Sequence, residues 1–134
     1  MAGYSETPLI KKLGIKPGMS VCILNAPETY AETLGPLPDA ITLSKTLRGE
    51  LDFIHFFTRS KAAYEGKFDQ LKTHLAKGGM LWISWPKKAS KVVTDMTEDV
   101  VREYALSHGL VDVKVAAIDE VWSGLKLVYR LKDR

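Results

Sequence analysis

An α/β fold built on a mostly parallel sheet is predicted by three observations. Continuous apolar runs such as Ser20-Val21-Cys22-Ile23-Leu24 read as strands buried on both faces. Tyr64, Phe68, Leu71 and Leu75, at steps of four, three and four, mark one face of a helix lying between two such runs. The last part of the chain alternates apolar and polar residues, as a hairpin does. Strands separated by helices imply a sheet covered on both sides. The prediction is therefore three layers around about six strands, with a C-terminal antiparallel hairpin.

Taken in order, Thr7-Pro8 starts a short leading helix that Gly14 ends. Lys16-Pro17-Gly18 turns the chain into the first strand, Ser20–Leu24. Pro27 and Glu28 fit the first turn of a second helix, closed by Leu34-Gly35-Pro36. Ala40–Leu43 reads as the second strand and Leu51–Phe57, rich in aromatics, as the third. The clear helix from Ser60 to Ala76 is stopped by Lys77-Gly78-Gly79. Met80–Trp85 is the fourth strand, ended by Pro86. Thr97 caps a helix with Glu98 and Asp99 in its first turn, finishing at His108-Gly109. Val111, Val113, Val115 and Ala117 then share one face, as do Leu125, Leu127, Tyr129 and Leu131.

A length of 134 residues with 46% hydrophobic content builds one core without disulfides or metal, so residues 1–134 are taken as a single domain. Cys22 lies within an apolar run and reads as a buried thiol. No window approaches the roughly 18 apolar residues of a membrane span, and no basic stretch precedes an apolar one at the start; the expectation is a cytoplasmic protein without a membrane partner. A net charge of +3 argues against nucleic acid unless the charges gather on one face. No two histidines have metal spacing, and no nucleophile elbow, phosphate loop or cysteine pair occurs, so no metal site is expected.

The phrases "LGIKPGMSVCIL", "LDFIHFF", "LKTHLAKGGMLWISWPK" and "ALSHGL...GLKLVYRL", in that order, resemble the class I methyltransferase fold across nearly the whole chain. "SWPKKAS" and "DEVWSGL" resemble a small bacterial family of uncharacterised proteins. The resemblance implies a reduced, Rossmann-like methyltransferase fold, with a strand-helix unit missing between Arg48 and Leu51. It also implies a cofactor site after the first strand, with a glycine-rich loop for S-adenosylmethionine, and a carboxylate after the second strand for the ribose. Here those positions read Asn25-Ala26-Pro27-Glu28 and Ser44-Lys45. Ala26 and Pro27 add bulk and remove an N–H where close backbone approach is wanted, and Lys45 has the wrong sign for ribose. S-adenosylmethionine is accordingly disfavoured, and the cofactor is left unknown.

In open parallel sheets, ligands collect beyond the carboxyl ends of the strands. That edge carries Asn25, Glu28, Arg59, Trp85, Lys87 and Lys88, and the hairpin turn adds Asp119, Glu120, Trp122 and Ser123. The expected arrangement sets Trp122 beside Trp85, with Asp119 and Glu120 facing the two lysines. Such a cleft suits an anionic or nucleotide-like ligand; alternatively the tryptophans are packing residues and the lysines a solvated loop. His55 reads as a core histidine rather than a base. Residues 87–96 are long for a strand-to-helix connection and are expected to form a mobile flap.

Three functions follow as expectations. The first is a methyltransferase-like domain with a degenerate cofactor loop, binding a small anionic ligand or a protein partner at this edge. The second is an active S-adenosylmethionine-dependent methyltransferase with an atypical loop. The third, weaker, is an RNA-associated module using Arg59, Lys87, Lys88 and Lys91 as a phosphate track.

Overall fold

In the computed structural model, which describes residues 7–134, proline and glycine set the first boundaries. Pro8, rather than Thr7, occupies the cap of helix α1 (Leu9–Leu13), and Gly14 ends it in the left-handed conformation. Strand β1 spans Ser20–Leu24 as predicted. Helix α2 is only Tyr30–Leu34. It starts later than Pro27 because Asn25 turns left-handed (φ 58°) and Pro27 O accepts the Tyr30 N–H at 3.0 Å, closing a separate turn first. Strand β2 (Thr42–Ser44) also starts late, because Ala40 sits at φ 62° and cannot extend the run.

Strand β3 (Leu51–Phe57) leads into helix α3 (Lys61–His74), whose cap is Ser60 Oγ accepting the Ala63 N–H at 3.0 Å. The helix ends at His74, and strand β4 (Leu75–Pro86) begins at once, so Leu75, predicted helical, pairs with Leu51 instead. The pairing register shifts before Phe53 meets Met80, and Gly79 sits in that irregular stretch. A Cβ on Gly79 would lie 2.9 Å from Asp52 O, so only glycine allows this approach. Helix α4 (Glu98–Ser107) is capped by Thr97 Oγ1, which accepts the Val100 N–H at 3.1 Å.

Strands β5 (Leu110–Ala117) and β6 (Trp122–Tyr129) form the hairpin. The predicted shared face of Val111, Val113, Val115 and Ala117 is broken by a register shift between Asp112 and Lys114, which leaves Val111 opposite Val128 but Val115 opposite Leu125. Val113 and Val115 remain about half exposed on this edge strand. Leu131 is outside the strand, in a 3-10 turn at Leu131–Asp133, and is exposed.

The six strands lie in the order β2-β1-β3-β4-β6-β5, with β6 antiparallel to both neighbours and the β2-β1-β3-β4 pairings parallel. On one face α3 and α4 bury Ile54, Phe56, Leu81, Ile83 and Trp85. On the other, α1 and α2 cover Val21, Phe53, Phe57 and Trp82. Each large apolar side chain so buried contributes about 1.5–3 kcal/mol relative to exposure. The layers are also pinned by hydrogen bonds: Tyr64 OH donates to Val101 O at 2.8 Å, joining α3 to α4, and Trp82 Nε1 donates to Leu13 O at 2.9 Å, joining α1 to the sheet. Cys22 is fully buried, and burial raises its thiol above the usual range against the pull of Lys67, the state of an unreactive packing residue.

Candidate functional site

β1, β3 and β4 point the same way, so their exits gather Asn25–Glu28, Thr58–Ser60 and Pro86–Ser90 at one edge. The hairpin turn arrives there too. Trp122 pairs with Pro86 and Ser123 with Trp85, and the Lys87 N–H extends the ladder to Val121 O at 2.8 Å. Asn25 and Glu28 are exposed on the first loop, and Arg59 is exposed after β3. Lys87 is half-buried, Lys88 is exposed on a 3-10 turn (Lys88–Ser90), and Asp119, Trp122 and Ser123 are half-buried around the hairpin turn, with Glu120 exposed.

Two predicted juxtapositions are corrected. Trp85 is 5% exposed and packs on the α3–α4 face near Met96, whereas Trp122 lies on the opposite face of the sheet, edge-on to Phe57 with centroids 5.3 Å apart. Because Trp122 sits opposite Pro86 and not opposite Trp85, the pleat turns the two indoles away from each other. Asp119 does not pair with the lysines through its carboxylate. Its Oδ1 accepts the N–H groups of Val121 and Trp122, both at 2.8 Å, and so builds its own turn, while Lys87 Nζ donates to the Asp119 carbonyl at 3.1 Å.

The connection after β4 is tied down at its far end. Thr94 Oγ1 donates to Arg59 O at 2.6 Å, Asp95 Oδ1 accepts the Lys61 N–H at 2.7 Å, and Met96 is buried. These anchors fix its last residues, 94–96, to the exit of β3 and the start of α3.

Beneath the edge lies a polar relay that residue spacing did not disclose. His55, fully buried in β3, meets the Tyr30 hydroxyl through Nδ1 at 2.8 Å and the Ser84 hydroxyl through Nε2 at 2.7 Å, and stacks on Phe57 at 4.1 Å. Desolvation lowers its pKa to about 3 and raises that of Tyr30 above the ordinary phenol range, so both are neutral near pH 7. His55 is thus a core histidine, as its apolar neighbours implied. Its partners sit 25 positions before it and 29 after, on separate elements, and no local pattern connects them. The relay ties α2, and with it the Asn25 turn, to β3 and β4.

This mixed six-stranded α/β sheet with its C-terminal antiparallel hairpin matches the fold of solved methyltransferases. The magnesium protoporphyrin IX methyltransferase of Synechocystis PCC 6803, with bound S-adenosylhomocysteine, matches 91% of this chain and 78% of its own with a TM-score of 0.61 and 14% identity. The fold is methyltransferase-like. The same enzyme with bound S-adenosylmethionine gives a TM-score of 0.62 at 13% identity, over 91% of this chain and 74% of its own. The N-methyltransferase NodS of Bradyrhizobium japonicum WM9 gives 0.61 at 14% identity, over 90% and 92%. At these identities the likeness is one of fold. No protein-family model and no curated protein sequence matches the chain.

These neighbours overturn the disfavouring of S-adenosylmethionine, since the fold shared over nine-tenths of this chain is one seen holding that compound or its demethylated product. Asn25 takes the left-handed conformation after β1, so the sharp exit from the strand is made without glycine.

Among the described residues no helix is long and apolar enough to cross a membrane.

Proposed function

We propose that this chain is a methyltransferase-like binding domain, one of the small bacterial family suggested by "SWPKKAS" and "DEVWSGL", that takes a small nucleoside-type or anionic ligand at the carboxyl edge of its sheet. Adenosyl compounds, S-adenosylmethionine and S-adenosylhomocysteine, are the first class in question. The observation that carries this reading is the convergence of the Asn25 turn, the β3 exit at Arg59 and the Lys87-linked hairpin turn at one edge of a sheet whose solved relatives in fold hold such compounds. Asn25 and Glu28 offer polar contacts from the first loop, and Arg59 and Lys87 offer positive charge. Trp122, on the α1–α2 face, offers a ring edge; Trp85, packed on the far face, does not belong to this site.

Methyl transfer is the second reading, favoured by the activities named for the neighbours in fold. In that case a methyl group passes from the sulfonium of S-adenosylmethionine to a nucleophilic atom of an acceptor, leaving S-adenosylhomocysteine.

Thermal unfolding with S-adenosylmethionine, S-adenosylhomocysteine and adenosine monophosphate tests the first reading. A ligand at a hundred times its dissociation constant stabilises the fold by about 2.7 kcal/mol. At least one of the three is expected to do so, and Arg59→Ala with Lys87→Ala should remove most of the effect while keeping the fold. Absence of any shift at millimolar ligand would overturn the proposal. Release of S-adenosylhomocysteine in the presence of a cell extract would establish turnover.

A further inference from the structure

A pocket opens on the α1–α2 face of the hairpin, well away from the carboxyl edge. Its volume is about 270 Å³, and its walls include Gly79, Met80, Val113, Lys126, Val128 and Arg134. Gly79 lies near the start of β4 and Lys87 just past its end. At ~3.3 Å per residue the two sites are roughly 26 Å apart along the strand.

Lys126 lies between Leu125 and Leu127, whose side chains enter the α3–α4 core, so the strand period puts the lysine on the other face. There it rises beside the end of α1, where a Cβ on Gly14 would be 4.0 Å from its Nζ. Lys114 is its cross-strand partner, and Lys114 Nζ donates to Lys12 O at 3.0 Å. Lys126 has no such acceptor among the described residues, and no aspartate or glutamate side chain lines the pocket. Partial burial lowers the pKa of the Lys126 ammonium, and Lys114 and Lys16 add repulsion.

A half-buried cation held among like charges is unfavourable for folding, and a bound anion would relieve it. The arginine favours one kind of anion. Arg134 Nε donates to Tyr129 O at 2.9 Å, which leaves its terminal nitrogens for a second acceptor in a planar fork suited to phosphate. The pocket is also larger than a lone phosphate requires, and Met80, Val113 and Val128 give it an apolar wall. We propose that this pocket binds a phosphate-bearing small molecule, with the phosphate held by Lys126 and Arg134 and an apolar body resting on Met80, Val113 and Val128.

Phenyl phosphate, inorganic phosphate and benzoate, each added to the full chain at matched ionic strength, separate the parts of this site in amide NMR titrations. Phenyl phosphate is expected to shift Gly79, Lys126 and Val128 and to bind about tenfold more tightly than either inorganic phosphate or benzoate. Lys126→Met should abolish these shifts and raise the melting temperature of the ligand-free protein, since it removes an uncompensated cation and keeps the apolar stem. Arg134→Gln should weaken binding without altering the fold, and carries the test should Lys126→Met not fold. Lys87→Ala, at the carboxyl edge, should leave phenyl phosphate binding unchanged, so the two sites succeed or fail separately. Undiminished binding to both Lys126→Met and Arg134→Gln, or benzoate binding as tightly as phenyl phosphate, would overturn the assignment.

Discussion

His55 shows how a single buried residue can set the response of the fold to acid. With its pKa lowered to about 3 in the folded chain and near 6.5 in the unfolded one, the imidazole is neutral in both states above pH 6.5 and makes no pH-dependent contribution there. Below pH 6.5 the unfolded chain takes up a proton that the folded chain refuses, so stability falls as pH falls, down to about pH 3, by up to about 1.4 kcal/mol per pH unit. Urea midpoints at pH 7, 6 and 5 should show this slope in the wild type and a flatter one in His55→Phe; equal slopes would mean that other groups set it. The bond between the Tyr30 hydroxyl and His55 Nδ1 is buried, so Tyr30→Phe leaves a buried nitrogen without its partner and is expected to cost about 1–3 kcal/mol. His55 could be recognised as a core histidine from its place in "LDFIHFF". Tyr30 and Ser84 could not be recognised as its partners, because tertiary packing alone brings them together.

At the scale of elements, the strands buried on both faces were legible and the irregular joints were not. β1 and β3 coincide with their predicted limits because each is a short, mostly apolar run bounded by turn residues, whereas α3 gives way to β4 at Leu75 inside a stretch whose spacing still reads as helix. The tryptophans illustrate the limit at the site. Their arrival at one edge followed from the order of the elements, but their faces depend on register, and a one-residue offset in the β4–β6 pairing puts Trp85 and Trp122 on opposite sides. The hairpin that carries Trp122 is held by two features open to mutation. Asp119→Ala removes the acceptor of two backbone N–H groups and should destabilise by about 1 kcal/mol, measured by urea unfolding, with Asp119→Asn restoring most of it through its remaining amide oxygen. Gly124→Ala would set a Cβ 3.1 Å from Ser84 Oγ, Trp82 Cε3 and Ile118 Cδ1, and overpacking of this kind is expected to cost about 1–3 kcal/mol. A neutral Gly124→Ala would show that β6 shifts freely against β4.

Over the whole molecule, the sheet works as a partition, and the three tryptophans of the chain report on its two sides. Trp82 and Trp122 belong to the α1–α2 face, Trp82 fully buried and hydrogen-bonded to α1, Trp122 half-buried at the carboxyl edge. Trp85 belongs to the α3–α4 face. At the proposed carboxyl-edge site, a ligand entering over the Asn25 turn would meet α2 and Phe57, the ring against which Trp122 packs, and would leave the opposite core untouched. Variants retaining one tryptophan each, with phenylalanine at the other two positions, should therefore answer a carboxyl-edge ligand differently. The fluorescence of the Trp122-only chain is expected to change with the ligand's binding isotherm, while the Trp85-only chain stays constant at the same saturation, shown by a calorimetric titration of each variant. A change confined to the Trp85-only chain would put the ligand on the α3–α4 side, under the segment anchored by Thr94 and Asp95, and would require that segment to open first, because its ties to Arg59 and Lys61 cover that approach.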